Sequence, residues 1–88
     1  MRIVLLDAHH VLYEGVVSQA IVPGADGELS FMDDHEPLFA ALTKGFIRVQ
    51  PITQQIAAPV DKAQHAGPFF IHRGIARMKS NELIVLVE

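Results

Sequence analysis

Apolar and polar residues alternate in short runs along this chain, and turn residues interrupt them about every eight to twelve positions, the rhythm of an all-β sandwich or small barrel. Ile3 to Leu6 is a β-branched apolar run and predicts a first strand, stopped by the polar Asp7 to His10. Val11, Tyr13 and Gly15 alternate with Leu12 and Glu14 and predict a second strand ending at the glycine. Val16 to Val22 predicts a third, closed by Pro23-Gly24, since proline cannot donate to a ladder and glycine accepts positive φ. Asp26-Gly27 gives a second turn signal. Leu29 and Phe31 share one face of a predicted strand over Glu28 to Met32, which Asp33-Asp34 breaks. Pro37 followed by LFAAL predicts a short helical turn over residues 37–42, with Gly45 at its C-terminal end. Phe46 to Val49 predicts a further strand. Residues 51–68 hold three prolines and little periodicity, and are compatible with a strand over Ile52 to Ala58 or a short helix over Asp61 to His65. Phe69 to His72, Ile75 to Met78 and Leu83 to Val87 predict three closing strands, with Ser80-Asn81 as the last turn.

The length, 88 residues, sets one domain, residues 1–88, and a chain this short buries only roughly 60% of its unfolded surface. Half of the residues are apolar and 19% are charged, so part of the apolar surface is expected to be covered by a partner. The net charge is −3 and the seven basic residues are scattered, which argues against nucleic acid as a partner. There is no cysteine, which excludes disulfides, thiolate zinc sites and cysteine nucleophiles. No apolar stretch approaches the roughly 18 residues of a membrane span, so membrane association is expected only through a complex.

The candidate chemistry is thin. His9, His10, His35, His65 and His72 lack the spacings that place two imidazoles on one helix face, and no metal or other cofactor is expected. Asp33, Asp34 and Glu36 lack the calcium-loop pattern and read as a solvated turn before they read as a general acid–base pair. Ser18, Ser30 and Ser80 have no nucleophile-elbow context, and no glycine-rich phosphate loop is present. Leu38, Phe39 and Leu42 read equally as a docking stripe or as core. Nothing in the pattern argues for catalysis.

The stretch from Val22 to Val49 resembles a known family. It reads Val22-Pro23-Gly24, then Gly27-Glu28-Leu29 and Phe31-Met32, then His35 with Pro37-Leu38, and leaves through Leu42, Gly45, Ile47 and Val49. This order is similar to the epsilon subunit of F-type ATP synthase. Tyr13-Glu14-Gly15 fits that family's aromatic-x-Gly position, and Gly74-Ile75 with the closing Glu82 to Glu88 fits its last strands. The family's Pro-Gly before the histidine is Asp33-Asp34 here, its strand glycine is Ser30, the first glycine of its Gly-Gly is Arg73, and residues 51–70 are longer than its hairpin. The chain therefore resembles a divergent member or one from an alternative ATPase. It ends at Glu88, where the family continues into a two-helix arm, and it resembles a short form without that arm.

The resemblance implies a ten-strand β-sandwich or flattened barrel and a non-catalytic central-stalk subunit. One side packs on the gamma subunit, and a loop end carrying Glu28 and His35 faces the c-ring. It implies partner contacts at Glu28, Phe31, Met32, Asp33, Asp34, His35, Leu38 and Leu42, with the acids meeting basic ring-loop residues. It implies a peripheral place on the cytoplasmic face of the bacterial inner membrane. The alternatives from the residues themselves are a non-catalytic sandwich module of another complex and a small barrel enzyme that uses the histidines.

Overall fold

The computed structural model describes residues 1–52 and 67–88. The resemblance implies ten strands for the whole chain; eight strands and no helix are seen among the described residues. They are β1 Arg2–Leu6, β2 Val11–Gly24, β3 Gly27–Met32, β4 Leu38–Leu42, β5 Gly45–Pro51, β6 Phe69–Ile71, β7 Gly74–Lys79 and β8 Glu82–Val87. The suggested strand or helix in the 51–68 segment falls, apart from its ends, outside the described residues.

Most turn signals act as expected. The β2–β3 hairpin turns at Ala25-Asp26, and Gly27 takes a φ of 125° that a side chain would resist. Ser80 and Asn81 both sit at positive φ, 53° and 59°, and close a two-residue β7–β8 hairpin.

Three expectations are corrected. The helical turn over 37–42 is strand β4, because Leu38–Leu42 pairs residue for residue with Gly74–Met78 of β7, and this long-range ladder overrides the helix propensity of LFAAL. Gly45 accordingly opens β5 instead of ending a helix. The two strands expected over 11–22 are one strand, β2, of 14 residues. Gly15 does not break it, since it stays in the ladder opposite Ile3 of β1, between the Val16 and Glu14 pairs. Pro23-Gly24 does not end it either. Pro23 stands opposite Glu28, its carbonyl accepts Thr43 N–H, and the pairing with β3 never calls on the missing proline donor.

The long β2 organises the molecule. Its first half pairs with β1 and its second half with β3 on one edge and β5 on the other. β1 pairs in parallel with β8, β8 with β7, and β7 with β4, which touches β2 again at Gly24↔Leu42. The pairing thus runs in a closed circuit, β1–β8–β7–β4–β2, with β5–β6 and β3 laid on it. The Cα envelope is 38 × 27 × 19 Å, so two layers about 10 Å apart fill its thin dimension.

The inward positions build one core from Ile3, Leu5, Val17, Val22, Phe31, Ile47, Ile71, Met78, Leu83 and Val85, each less than 2% exposed. No polar or charged residue is buried among the described residues, so the interior provides packing only.

Candidate partner-docking surface

β7 and β8 alternate as half-buried strands do, yet three of their outward positions, Ile75, Ile84 and Leu86, are apolar too. Ala76 and Met78 point inward while Ile75 and Arg77 point out; Leu83, Val85 and Val87 point inward while Ile84 and Leu86 point out. The registers align these outward side chains into two rows. One runs Val11, Leu6, Leu86, Ile75 and Ala41 across five strands. The next runs Val4, Ile84, Arg77 and Phe39. Phe39 is the most exposed large apolar side chain described, at 69%. A third row, Arg2, Glu82 and Lys79, ends the apolar field in charge, and Arg2 pairs with both Glu14 and Glu82. A mainly apolar face, broken by Arg77 and bordered by charge, is the form of a protein-docking surface.

The opposite layer carries a smaller aromatic group. Phe46 and Phe70 face each other across the β5–β6 ladder with centroids 5.2 Å apart, and His72 stands edge-on to Phe70 at 5.2 Å.

The residues expected to touch partners divide. Phe31 and Leu42 are corrected to core: they are 0% and 5% exposed and pack inward as the alternation of β3 and β4 requires. Met32, the next residue after Phe31, is 54% exposed, and Leu38 is partly exposed at the start of β4. Glu28 is on the surface, where Arg48 Nη2 donates to its Oε2 at 2.8 Å. Asp33 is already engaged by the Met1 ammonium, which with a bond from Asn81 holds its carboxyl below the usual aspartate range. Asp34 takes a φ of 61°, and its N–H donates to Asn81 Oδ1 at 2.8 Å. The His35 imidazole packs on Phe31, centroids 4.9 Å apart, with Nδ1 2.8 Å from the Glu36 carbonyl.

The structure does not bring Glu28 and His35 to one end. Glu28 sits beside the β2–β3 turn, while Met32 and the 33–36 loop leave the far end of β3, roughly 14 Å along the strand at its rise per residue. Asp34 and Asn81 instead tie that loop to the β7–β8 turn. Sequence reasoning missed Leu6, Val11, Ile75, Ile84 and Leu86 as surface residues. The signal for Ile84 and Leu86 is the unbroken apolar run Leu83 to Val87, and for Leu6 the run Ile3 to Leu6, which a strand with one wet face does not need.

Among the described residues, the grooves lined by Pro23 to Pro68 and by Gly24 to Ala41 bring no acid, base and nucleophile together. One, of about 480 Å³, is lined by Pro23, Glu28, Lys44, Gly45, Phe46, Arg48 and Pro68, and its Glu28 and Arg48 pair with each other. Among the described residues no three His, Asp or Glu side chains gather as a metal site, and no helix is long and apolar enough to cross a membrane.

Residues 1–88 match the family described as ATP synthase, Delta/Epsilon chain, beta-sandwich domain. The ATP synthase epsilon chain of Desulforamulus reducens is 28% identical over 90 aligned positions, covering 99% of this chain and 58% of that protein. The mitochondrial ATP synthase subunit delta of Schizosaccharomyces pombe is 32% identical over 81 positions, 90% of this chain and 42% of that one. In fold, the chain is similar to one from the central stalk and c-ring of the Tetrahymena thermophila mitochondrial ATP synthase, with a TM-score of 0.74, 14% identity, and coverage of 99% of this chain and 62% of that one. The chain thus spans between 42% and 62% of the length of these relatives.

Proposed function

Because the chain belongs to the ATP synthase delta/epsilon β-sandwich family, we propose that it is a non-catalytic central-stalk subunit of a rotary F-type ATP synthase. In this role it fixes the gamma subunit to the c-ring, so that ion translocation stays tied to ATP synthesis and hydrolysis. The observation that carries the reading is the apolar face of β1, β8, β7 and β4, centred on Ile75, Leu86 and Phe39. A rotor coupling needs a permanent interface, and permanent interfaces resemble a core cut in half. We assign this face to the gamma subunit. Met32, Asp33, Asp34, His35 and Leu38 border it through the loop held by Asn81. The β2–β3 hairpin end, with Asp26 and Glu28, is assigned to the polar loops of the ring.

The body suits the task. A closed circuit of paired strands around an apolar core resists bending, and torque passes through it without bond chemistry. In this reading the protein sits peripherally on the cytoplasmic face of the bacterial inner membrane, held there by its complex.

Co-expression with the gamma subunit and ring of the same organism tests the proposal. The chain is expected to co-purify with gamma, and ATP-driven ion pumping by the assembled enzyme is expected to fall when the chain is omitted. Failure to bind gamma, with normal pumping in its absence, overturns the reading in favour of an interaction module of another complex.

A further inference from the structure

The sandwich is open along one side, between β3 and β4. β3 pairs with β2 only. β4 pairs with β7 along its length, but with β2 at the single position Gly24↔Leu42, where Ala41 O accepts Ala25 N–H and Thr43 N–H donates to Pro23 O. Backbone direction alternates along a strand. The main-chain groups of Phe39 therefore turn the same way as those of Ala41, away from β7. Among the described residues no backbone hydrogen bond reaches Phe39 or the Ala41 N–H on this side. The same alternation turns the main chain of Glu28, Ser30 and Met32 away from β2, and of these groups the Met32 carbonyl already accepts the His35 N–H. The start of β3, at Glu28 and Leu29, and Leu38 to Ala41 of β4 line a groove of about 360 Å³ beside the β2–β3 turn.

We propose that this seam is a strand-addition site for an extended, basic segment of a partner protein. Free strand edges are the template for such pairing, in which main-chain bonds supply affinity and alternate side chains supply selection. The charge of the rim selects the partner. Asp26 and Glu28 lie on the groove, Asp34 and Glu36 stand in the loop at the far end of β3, and only Glu28 of these four carboxylates has an ion-pair partner among the described residues. An extended segment with alternating Lys or Arg and apolar residues sets its cations against these acids and its apolar side chains against Leu29 and Ala40, which share the inward face. The same acids disfavour a second copy of this chain, which would bring like charges together. The inference is independent of which complex the chain serves.

Amide hydrogen exchange on the purified chain tests it, with an acetylated alternating Lys-Val octapeptide as probe. The Phe39 and Ala41 amides are expected to exchange fast in the free chain and to slow by about tenfold or more with the peptide bound. A peptide N-methylated at alternate residues, and a Glu-Val octapeptide, are expected to give no protection. Ala41→Pro removes the donor without touching the β4–β7 ladder and is expected to abolish binding. If that variant does not fold, the N-methylated peptide decides. Equal protection by the N-methylated peptide overturns the proposal, as does slow exchange of Phe39 and Ala41 in the free chain. Protection that rises with concentration of the chain alone also overturns it, in favour of self-pairing.

Discussion

Ile75 stands opposite Leu86 in the β7–β8 ladder, and both side chains turn away from the core, 46% and 48% exposed. Neither is needed to fill the interior. Ile75→Asp is therefore expected to cost the isolated chain only about 1 kcal/mol, the span of β-propensity effects. In a docked complex the same change places a charge at the centre of an apolar face, where truncating a hot-spot residue costs 2 kcal/mol or more, or about 30-fold in affinity. Titration of gamma against wild type and variant, alongside urea denaturation, separates the two effects. Equal affinity for both chains refutes the assignment of this face.

Phe31 and Met32 are neighbours with opposite fates. Phe31 is fully buried and Met32 is half exposed. Phe31→Ala is expected to cost about 3–5 kcal/mol through lost burial and the cavity left behind. Met32→Ala is expected to stay within about 0.5 kcal/mol, as surface changes do. Denaturant midpoints measure both. Similar losses at the two sites would mean that the face alternation of β3 is misassigned.

This pair also shows what the sequence makes legible. Where polar and apolar residues alternate strictly, as from Glu28 to Met32, strand and inward face are both readable. Where local preference and long-range pairing disagree, the sequence misleads. Residues 38–42 carry good helix formers after a proline, and only the ladder with β7, more than thirty residues away, makes them a strand. Pro23 looks like a stop because nothing local reveals that its nitrogen faces no β3 carbonyl. The parallel pairing of β1 with β8 joins the two ends of the chain and has no local signal. The partner residues are half legible for the same reason. The acidic loop is visible as composition, but the apolar face exists only once four strands lie in register.

Gly74 meets the β8 backbone closely. A Cβ placed there would lie 2.5 Å from the Leu86 carbonyl oxygen, a backbone atom that moves only with its strand. Gly74→Ala is expected to destabilise the chain by about 1–3 kcal/mol, the range for forced overpacking. It is also expected to weaken gamma binding, because Ile75 and Leu86 ride on the displaced strands. Urea denaturation checks the first outcome, and amide exchange along β8 checks where the strain goes. Unchanged stability would show that the two strands can separate freely at this point.

Asp7 closes the β1–β2 connection by accepting the N–H groups of His9 and His10 at 2.8 and 2.7 Å. Those two bonds hold its carboxyl below the usual aspartate value, with the histidines adding a smaller Coulombic pull. A depressed folded-state value means that the unfolded chain takes up the proton first as pH falls. The stabilisation by Asp7 is therefore complete above the unfolded value of about 3.9 and is lost as pH falls through the lower, folded one. Asp7→Ala is expected to lower the melting temperature at neutral pH, with the difference from wild type shrinking in acid. A difference that is constant from neutral to strongly acidic pH would show that the carboxylate charge plays no part.

Asp33 and Asp34 stand side by side in the β3–β4 loop but do different work, so reversing both charges together cannot reveal a partner contact. Asp33 is bonded to the Met1 ammonium, and a lysine there would set two cations against each other and disturb the fold. The Asp34 carboxylate makes no ion pair among the described residues; its backbone N–H, not its side chain, holds the loop to Asn81. Asp34 also has positive φ, which asparagine tolerates nearly as well. Asp34→Asn is thus the clean removal of one charge, with the melting temperature expected to stay close to wild type. If Asp34 meets a basic partner, the variant binds more weakly at low salt. The gap closes as salt rises, because the screening length falls to about 8 Å at physiological ionic strength and about 3 Å at 1 M. Binding titrations across that range decide the matter: curves that coincide at every salt concentration place the Asp34 carboxylate in solvent, facing no partner.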